Sequence, residues 1–368
     1  MARIYLLLYL LLIVYASLYP WSNWREAAAP LLDWIIPHMP RYWTWFDVVT
    51  NVVAYMPLGT LSVFSLYPHV RRLPALLLAL LLGCLLSCTI ETLQAFLPSR
   101  VSSTLDWATN TLGSLLGALF GVWQTRAFLD HGYLHLLRKR WFVASASRGL
   151  LAAGLWPLAQ LFPQPYLFGH GQFMPVLSEF VSDLLDTPVD LQALMPHGGE
   201  FSIQQFWLSE TMMSTCGLVG GVLAMSWLLR PGAPRLRLVL LLLAACLLAK
   251  TTACALVFTP EHALLWLTPG AQGGLLLGGL MLAGLLQTPP AVQRRTAAFT
   301  LLLSLVLANI VPVNPYFNAS LQTWVKGQFI NFNGAAQILA LSWPLLAIWC
   351  VWHPTHDQIP ARSTDKPA

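Results

Sequence analysis

Ten long apolar runs, divided by short polar stretches, set the terms for this chain. They lie near residues 4–19, 48–66, 74–97, 105–124, 147–163, 205–229, 236–258, 271–287, 297–313 and 334–352. A helix needs about 20 mostly apolar residues to cross the hydrocarbon of a bilayer, and these runs approach or reach that length. They do not alternate in the manner of barrel strands. A chain that is 57% apolar and 10% charged cannot cover itself with a hydrated surface, since soluble domains carry about 25% charged residues. A soluble globular protein, a disordered chain and a nucleic-acid binder built on a basic stripe are excluded. The expected fold class is all-α, a polytopic transmembrane helical bundle of about ten spans.

The basic residues orient the spans. With the N-terminus in the cytoplasm, 15 of the 20 Lys and Arg side chains fall on the cytoplasmic side, Arg71, Arg72, Arg148, Arg230, Arg294 and Arg295 among them. Arg25, Arg41, Arg100 and Lys326 fall outside, and Lys250 falls within a span. This is the positive-inside bias, and it puts both termini in the cytoplasm. A missed span would scramble the alternation, so the bias also supports the count of ten. Glu179, Asp183, Asp186, Asp190 and Glu200 gather in one outer loop, 164–204, together with Pro165, Pro175, Pro188 and Pro196 and with Pro163 at its start. A connection that long is expected to form a structured external cap.

The expected organisation is therefore a first transmembrane domain over 1–125 and a basic cytoplasmic loop over 126–146. A second transmembrane region over 147–352 and a cytoplasmic tail over 353–368 follow. The loop's Arg138-Lys139-Arg140 suits orientation and attraction to anionic headgroups. At the N-terminus, Arg3, a short apolar run and Val14-Tyr15-Ala16 resemble a cleavable signal. Tyr15, Tyr19, Trp21 and Trp24 read instead as the interfacial belt of a retained helix, and retention is the expectation.

Cysteines and histidines point to no metal or organic cofactor. Cys84, Cys88, Cys216, Cys246, Cys254 and Cys350 all lie in apolar runs without a CxxC pair, so they count as small hydrophobes. His131 and His135 sit in the basic loop with no carboxylate pair nearby.

The informative residues are the polar ones inside apolar runs, because ionisable groups in a membrane mark functional sites or interhelical glue. Asp47 and Asn51 share one face at the outer end of the second run, followed by Pro57 and Gly59. Pro57 frees the carbonyl of Val53, so a kink or unwound turn is expected there. The third run carries Ser87, Glu91 and Gln94 on one face. After Pro98 comes Arg100, and the fourth run opens with Asp106 and Asn110. Gly113, Gly117 and Gly121 then form a small-xxx-small seam that lets two helices approach closely. Folding the hairpin about residues 100–102 sets Glu91 level with Asn110 and Gly113, and Asp106 near Leu97. Asp47, Asn51, Glu91, Gln94, Arg100, Asp106 and Asn110 then converge on one pocket open to the outer face.

The pattern Asp47-x3-Asn51-x5-Pro57-Leu58-Gly59, Glu91-x2-Gln94-x5-Arg100, Asp106-x3-Asn110-x2-Gly113-x3-Gly117 resembles the VanZ-like family over about residues 40–124. The resemblance implies a bacterial inner-membrane protein linked to low-level resistance to the glycopeptide teicoplanin, by a mechanism the family does not disclose. The phosphotransbutyrylase activity attached to some members is not expected, because no Gly-rich phosphate loop or coenzyme A pattern lies outside the spans. Residues 125–368 depart from the minimal family unit. Asn314-Pro315-Tyr316-Phe317 and Asn331-Phe332-Asn333-Gly334, with Trp324 between, resemble features of longer family members only weakly. Asn318-Ala319-Ser320 matches a glycosylation sequon by chance if the protein is bacterial. Glu210 and Lys250 are expected to pair across helices in the second half. A 5+5 inverted repeat has one faint echo, Asn51-Val52-Val53…Pro57 against Asn309-Ile310-Val311-Pro312.

Each residue also has a plain structural reading. Glu91 and Arg100 can be a salt bridge stitching the hairpin, Asp106 and Asp47 can cap their helices, and Gln94 and Asn110 can be interhelical glue. Trp43, Trp45 and Trp107 suit either the interface or stacking on a sugar. Taken together, the seven residues suit the polar head of a lipid-linked molecule, such as a polyprenyl-phosphate sugar or a peptidoglycan precursor, with Arg100 on the phosphate. Three functions fit. The protein binds or shields such a precursor; it is a membrane enzyme acting on it, with Glu91 or Asp106 as acid or base; or it is a transporter coupled through Glu91, Glu210 and Lys250. The expected partner is a membrane lipid or lipid-linked glycan, and no nucleic acid.

Overall fold

The computed structural model describes residues 2–19, 24–26, 45–98, 100–128, 133–162, 164–192, 201–257, 260–312 and 330–353. Among them it contains twelve α-helices and one 3₁₀ turn, Pro260–His262, with no strand beyond a single bridge between Phe142 and Leu229. The chain forms two compact units, Met1–Arg138 and Lys139–Ala368. The division falls inside the basic segment 126–146.

The first unit holds α1 (Ala2–Leu18), α2 (Trp45–Leu66), α3 (Arg72–Gln94) and α4 (Thr104–Phe128), with α5 (Tyr133–Trp141) at the division. The third helix shows the packing logic. Its buried residues include Ala75, Ala79, Gly83, Ser87 and Glu91, one every fourth position and all but the last small. Leu77, Leu78, Leu81 and Leu85 stand exposed on other faces. Such a helix turns its small and polar stripe inward and its leucines outward, the reverse of a water-soluble helix, because lipid rather than water is the surrounding solvent.

The closest pairing in the unit is α2 with α4. A methyl group on Gly113 would overlap the carbonyl oxygen of Val52, one on Gly117 that of Met56, and one on Gly59 that of Ser114. The two backbones therefore touch across the glycine seam. Thr60 Oγ1 adds a bond to the carbonyl of Gly117 at 2.9 Å. No unwound turn interrupts α2 at Pro57, which the helix contains within its run from Trp45 to Leu66.

The second unit holds α6 (Ser147–Ala159), α7 (Phe173–Leu185), α8 (Ile203–Ser226), α9 (Arg235–Val257), α10 (Pro269–Leu285), α11 (Pro290–Ile310) and α12 (Ile330–Trp352). Its centre is α8, thirteen of whose residues are buried. Trp156 stacks on Trp343 with ring centres 5.3 Å apart, and Phe168 packs on Trp156 at 5.1 Å. Gly217 and Gly221 of α8 make room for Phe168 and Trp156.

All ten apolar runs coincide with helices. Five of these are long and apolar enough to cross a membrane: α2 from Asp47, α3, α8, α9 to Leu256, and α11. α1, α10 and the Ala336–Trp352 part of α12 are shorter apolar helices. α6, with 13 residues, spans only about 20 Å at 1.5 Å per residue.

The segment after α6, within the loop expected over 164–204, packs into the core of the second unit. Tyr166, Leu167, Phe168 and His170 are buried in the core of the second unit. Irregular backbone inside a fold must find polar partners. The Gly171 N–H donates to the carbonyl of Ala340 at 3.0 Å, and the Tyr166 hydroxyl donates to that of Pro312 at 2.9 Å. Asn309 completes the set. Its Oδ1 accepts from the Phe173 and Met174 N–H groups that open α7, and its Nδ2 donates to the carbonyl of Gly171. α7 itself is amphipathic and buries no residue. Asn309 thus caps a neighbouring helix whereas Asn51 holds a carboxylate, so the faint inverted-repeat echo joins residues with different work. The motifs at 314–317 and 318–320, and Trp324, lie outside the described residues, as do the side chains of 331–334.

Candidate functional site

The end of the first unit where α1 and α3 finish and α2 and α4 begin gathers most of the polar residues singled out above. Asn51 Nδ2 donates to Asp106 Oδ1 at 2.8 Å, joining α2 to α4. Asp47, exposed in the first turn of α2, acts electrostatically on Asp106. Asp106 is not the cap of α4. Ser103 holds that place, its Oγ accepting from the Leu105 N–H at 3.2 Å. The Asp106 carboxylate is thereby left for α2 and the space between the helices.

Glu91, 2% exposed, accepts from the Ser103 N–H at 2.8 Å, while Ser102 Oγ donates to the Glu91 carbonyl at 2.6 Å. The two serines pull the connection back along α3. As a result Glu91 lies level with Ser103 and Asn110 with Ser87, one to two turns away from the register expected for a hairpin centred on 100–102. The anticipated salt bridge is also replaced: among the described residues no ion pair joins Glu91 to Arg100, which acts on it as a nearby charge.

Arg100 and Gln94 turn towards α1. Arg100 Nη2 donates to the carbonyl of Tyr19 at 3.1 Å and Gln94 Nε2 to that of Ser17 at 2.9 Å. Both satisfy carbonyls at a helix C-terminus, which lack partners within the helix. Arg100 Nε is buried without a partner. Burial pulls the guanidinium below its ordinary value, opposed by the charges of Asp106 and Glu91. A partly desolvated guanidinium with a free donor is strongly attractive to an oxyanion.

Asn110 lies one layer deeper. Its Nδ2 donates to Ser87 Oγ at 3.0 Å, and its Oδ1 is buried without a partner. The hydroxyls of Tyr55 and Ser114 are buried in the same state. Tyr55, one turn after Asn51, faces Ser87 and feels the charges of Glu91 and Asp106. It is absent from the residues expected at the site because a tyrosine in an apolar run counts as apolar. Its spacing of four from Asn51 was the available signal. Trp107 Nε1 donates to the carbonyl of Cys84 at 3.3 Å, tying α4 to α3; Trp45 is exposed, and Trp43 lies outside the described residues.

The site therefore has two layers. A rim of Asp47, Asn51, Asp106, Glu91 and Arg100 carries the charge. Beneath it lie Tyr55, Ser87 and Asn110, of which the Tyr55 hydroxyl and the Asn110 amide oxygen are buried without a hydrogen-bond partner. Such a set can accept from hydroxyls at its carboxylates and donate to an anion at Arg100. Among the described residues, no group of His, Cys, Asp and Glu could hold a metal ion.

The second unit's buried charges do not form a comparable cluster. Glu210 accepts from the Thr268 hydroxyl, which also caps α10. Lys250, 1% exposed, donates from Nζ to the carbonyl of Gln164 at 3.1 Å. The expected pair between them is absent among the described residues; each charge has a neutral partner of its own. His170 is hydrogen-bonded to Gln160 at 2.6 Å, and burial, aided by the Lys250 charge, lowers its pKa to about 3. The imidazole is neutral at physiological pH.

Residues 3–124, most of the four-helix part of the first unit and about a third of the chain, match the family model described as VanZ/LLP1. No curated protein and no solved structure matches the chain.

Proposed function

We propose that this chain, a VanZ-like membrane protein through residues 3–124, binds or shields the polar head of a lipid-linked cell-envelope precursor. The site lies at the outer face of a bacterial inner membrane, in a bundle of about ten spans with both termini cytoplasmic. The distribution of basic residues supports that orientation, since Arg71 and Arg72 lie at the opposite end of α3 from Glu91. The ligand class is a phosphate- and sugar-bearing head on a polyprenyl tail. A link to teicoplanin resistance, or to envelope polysaccharide more broadly, belongs to this proposal and rests on the family resemblance alone.

One observation carries the reading: the rim joins a desolvated cation with a spare donor, Arg100, to two carboxylates on different helices, Glu91 and Asp106. A purely structural cluster would pair these charges directly. Here each is held by a neutral group, Tyr19 O for Arg100, Ser103 N–H for Glu91 and Asn51 for Asp106, while each acts on the others electrostatically. The buried hydroxyl of Tyr55 below them gives a second reading some support, a membrane enzyme in which Glu91 or Asp106 moves a proton on the bound glycan.

The test is the lipid that travels with the protein. Gently solubilised protein should carry a polyprenyl-phosphate species identifiable by mass spectrometry, and Arg100→Gln should lose it. Copurification of bulk phospholipid alone, unchanged in Arg100→Gln, would refute the binding reading. Conversion of an added polyprenyl-linked glycan by the wild type, lost in both Glu91→Gln and Asp106→Asn, would establish the enzyme instead.

A further inference from the structure

In the second unit, α7 carries an apolar side that the described chain leaves bare. Leu177, Phe180, Val181 and Leu184 share that side, and Glu179, Asp183 and Asp186 lie on the opposite one, a division with helical spacing. Leu177, Phe180, Leu184 and Leu185 are 44% to 71% exposed. Ser178 and Ser182, on the edge between the two sides, are taken up by the return of the chain. Ser182 Oγ accepts from the Val189 N–H at 2.9 Å, and Ser178 Oγ accepts from the Leu191 N–H at 3.0 Å. The hairpin closes along its serine edge, and its large apolar side chains are left without a protein partner of comparable size.

The place where the hairpin is fastened decides what that side meets. Asn309 holds the start of α7, and Gln192, just past the return, donates from Nε2 to the carbonyl of Val311 at 2.7 Å. Both ends of the hairpin are therefore tied to one end of α11, a helix long and apolar enough to cross a membrane. Arg294 and Arg295 mark the other end of that helix. Phe299, Leu302, Val306 and Ile310 form an exposed stripe along α11, and on a membrane-crossing helix such a stripe faces lipid. The stripe runs out at Ile310, beside the residue that holds α7. α7 thus starts where the lipid-facing surface of α11 ends, at the level of the bilayer surface. Helices at that level with one apolar and one charged side lie in the membrane plane. No Lys or Arg lies between Arg148 and Arg230, so α7 has no cation to offer anionic headgroups, and its attraction to lipid comes from apolar area.

We infer that α7 is an interfacial helix that docks on a zwitterionic lipid surface. Leu177, Phe180, Leu184 and Leu185 sit at the boundary between headgroups and acyl chains, and Glu179, Asp183 and Asp186 stand in water. The contact continues the lipid-facing surface of α11 and does not rest on the function proposed for the first unit.

The full chain is placed in phosphatidylcholine nanodiscs, one copy per disc, so that no second copy can cover α7. Phe180→Cys and Leu184→Cys probe the apolar side, and Glu179→Cys and Asp183→Cys probe the acidic side. All four side chains are exposed, so the exchanges leave the core untouched. Reaction with a charged, water-soluble maleimide is followed by mass spectrometry of the peptide that carries the new cysteine, which separates it from the six native ones. The thiolate is the reacting form and needs water, so the apolar-side cysteines should react at least about tenfold more slowly than the acidic-side ones. In a second measurement, Leu184→Cys and Asp183→Cys are labelled with bimane in detergent before reconstitution, and the wild-type signal is subtracted. A nitroxide near the top of the phosphatidylcholine acyl chain should quench the label at 184 at least about twice as strongly as the label at 183, given the depth of an interfacial helix. Equal reaction rates on the two sides would stand α7 in water and overturn the proposal. Slow reaction at 180 and 184 without quenching by the lipid nitroxide would overturn it too, because another stretch of the chain would then cover the face.

Discussion

The two units bury charge in opposite ways. In the first, Glu91 of α3, Arg100 of the connection and Asp106 of α4 meet at one end of a helical hairpin, each held by a neutral partner and each within reach of the others' fields. In the second, Glu210 and Lys250 are held apart, one by the Thr268 hydroxyl and the other by the carbonyl of Gln164. The difference teaches that a buried charge is not by itself a sign of a site. What marks the first unit is the convergence of opposite charges; unpartnered buried polar atoms occur in both units, the Arg100 Nε and the Asn110 amide oxygen in the first and the Gln160 amide oxygen and His170 Nδ1 in the second. Convergence of that kind has to be maintained by packing that prevents the helices from sliding into direct pairing, and the glycine seam between α2 and α4 supplies it.

The comparison breaks most severely if the seam is removed. Gly117 faces the carbonyl of Met56 with no room for a side chain. Gly117→Leu would force the α2 and α4 backbones apart at a contact with no flexible neighbour to yield, at a cost of about 3 kcal/mol or more. The expected outcome is loss of monodisperse protein on gentle heating in detergent, with ligand binding lost in parallel. A variant that melts like the wild type would show that the close approach of α2 and α4 is not what holds the rim together.

A sharper cut separates charge from architecture. Glu91→Gln keeps an oxygen to accept from the Ser103 N–H but removes the charge, so protein level and melting temperature should hold while ligand binding falls about tenfold or more. Glu91→Ala also removes the acceptor and leaves the Ser103 N–H unpaired in a buried place, which should lower stability by a further ~1–3 kcal/mol. If Glu91→Gln proved as unstable as Glu91→Ala, Glu91 would be a hairpin stitch and nothing more.

How much of this was legible in the sequence depends on what a membrane chain makes conspicuous. Helix positions were legible because apolar runs are interrupted only where the chain turns. The polar cluster was legible because Asp47, Glu91 and Asp106 stand out against leucine and alanine. The glycine seam was legible from its spacing of four. The hairpin register was not, because it depends on Ser102 and Ser103 bonding back to Glu91, and two serines in a turn look like any polar loop. Partners supplied by the backbone were equally hidden: the carbonyls of Gln164, Ser17 and Tyr19 leave no trace in residue identity. The burial of the segment after α6 was not legible because its flanking prolines read as a loop, although Tyr166-Leu167-Phe168 is an apolar triplet.

In the second unit the effects should be smaller, and their smallness is the point of the comparison. Lys250→Met keeps a side chain of similar length in the core while leaving the Gln164 carbonyl without its donor. Loss of one hydrogen bond is set against relief from burying an ammonium, so stability should change by about 1 kcal/mol or less in either direction. Binding at the first unit should not change at all. Glu210→Gln is milder still. The amide oxygen accepts from the Thr268 hydroxyl as the carboxylate did, α10 keeps its cap through the Thr268 bond to the Ala271 N–H, and the melting temperature should move by no more than a degree or two. The decisive reading is the ratio of the two units' responses to the same Glu-to-Gln exchange. A change at Glu210 that disturbs envelope phenotype as strongly as the change at Glu91 would place a working charge in the second unit and restore the transporter reading. A silent Glu210→Gln beside a defective Glu91→Gln would confine the chemistry to the rim where Arg100 and Asp106 meet.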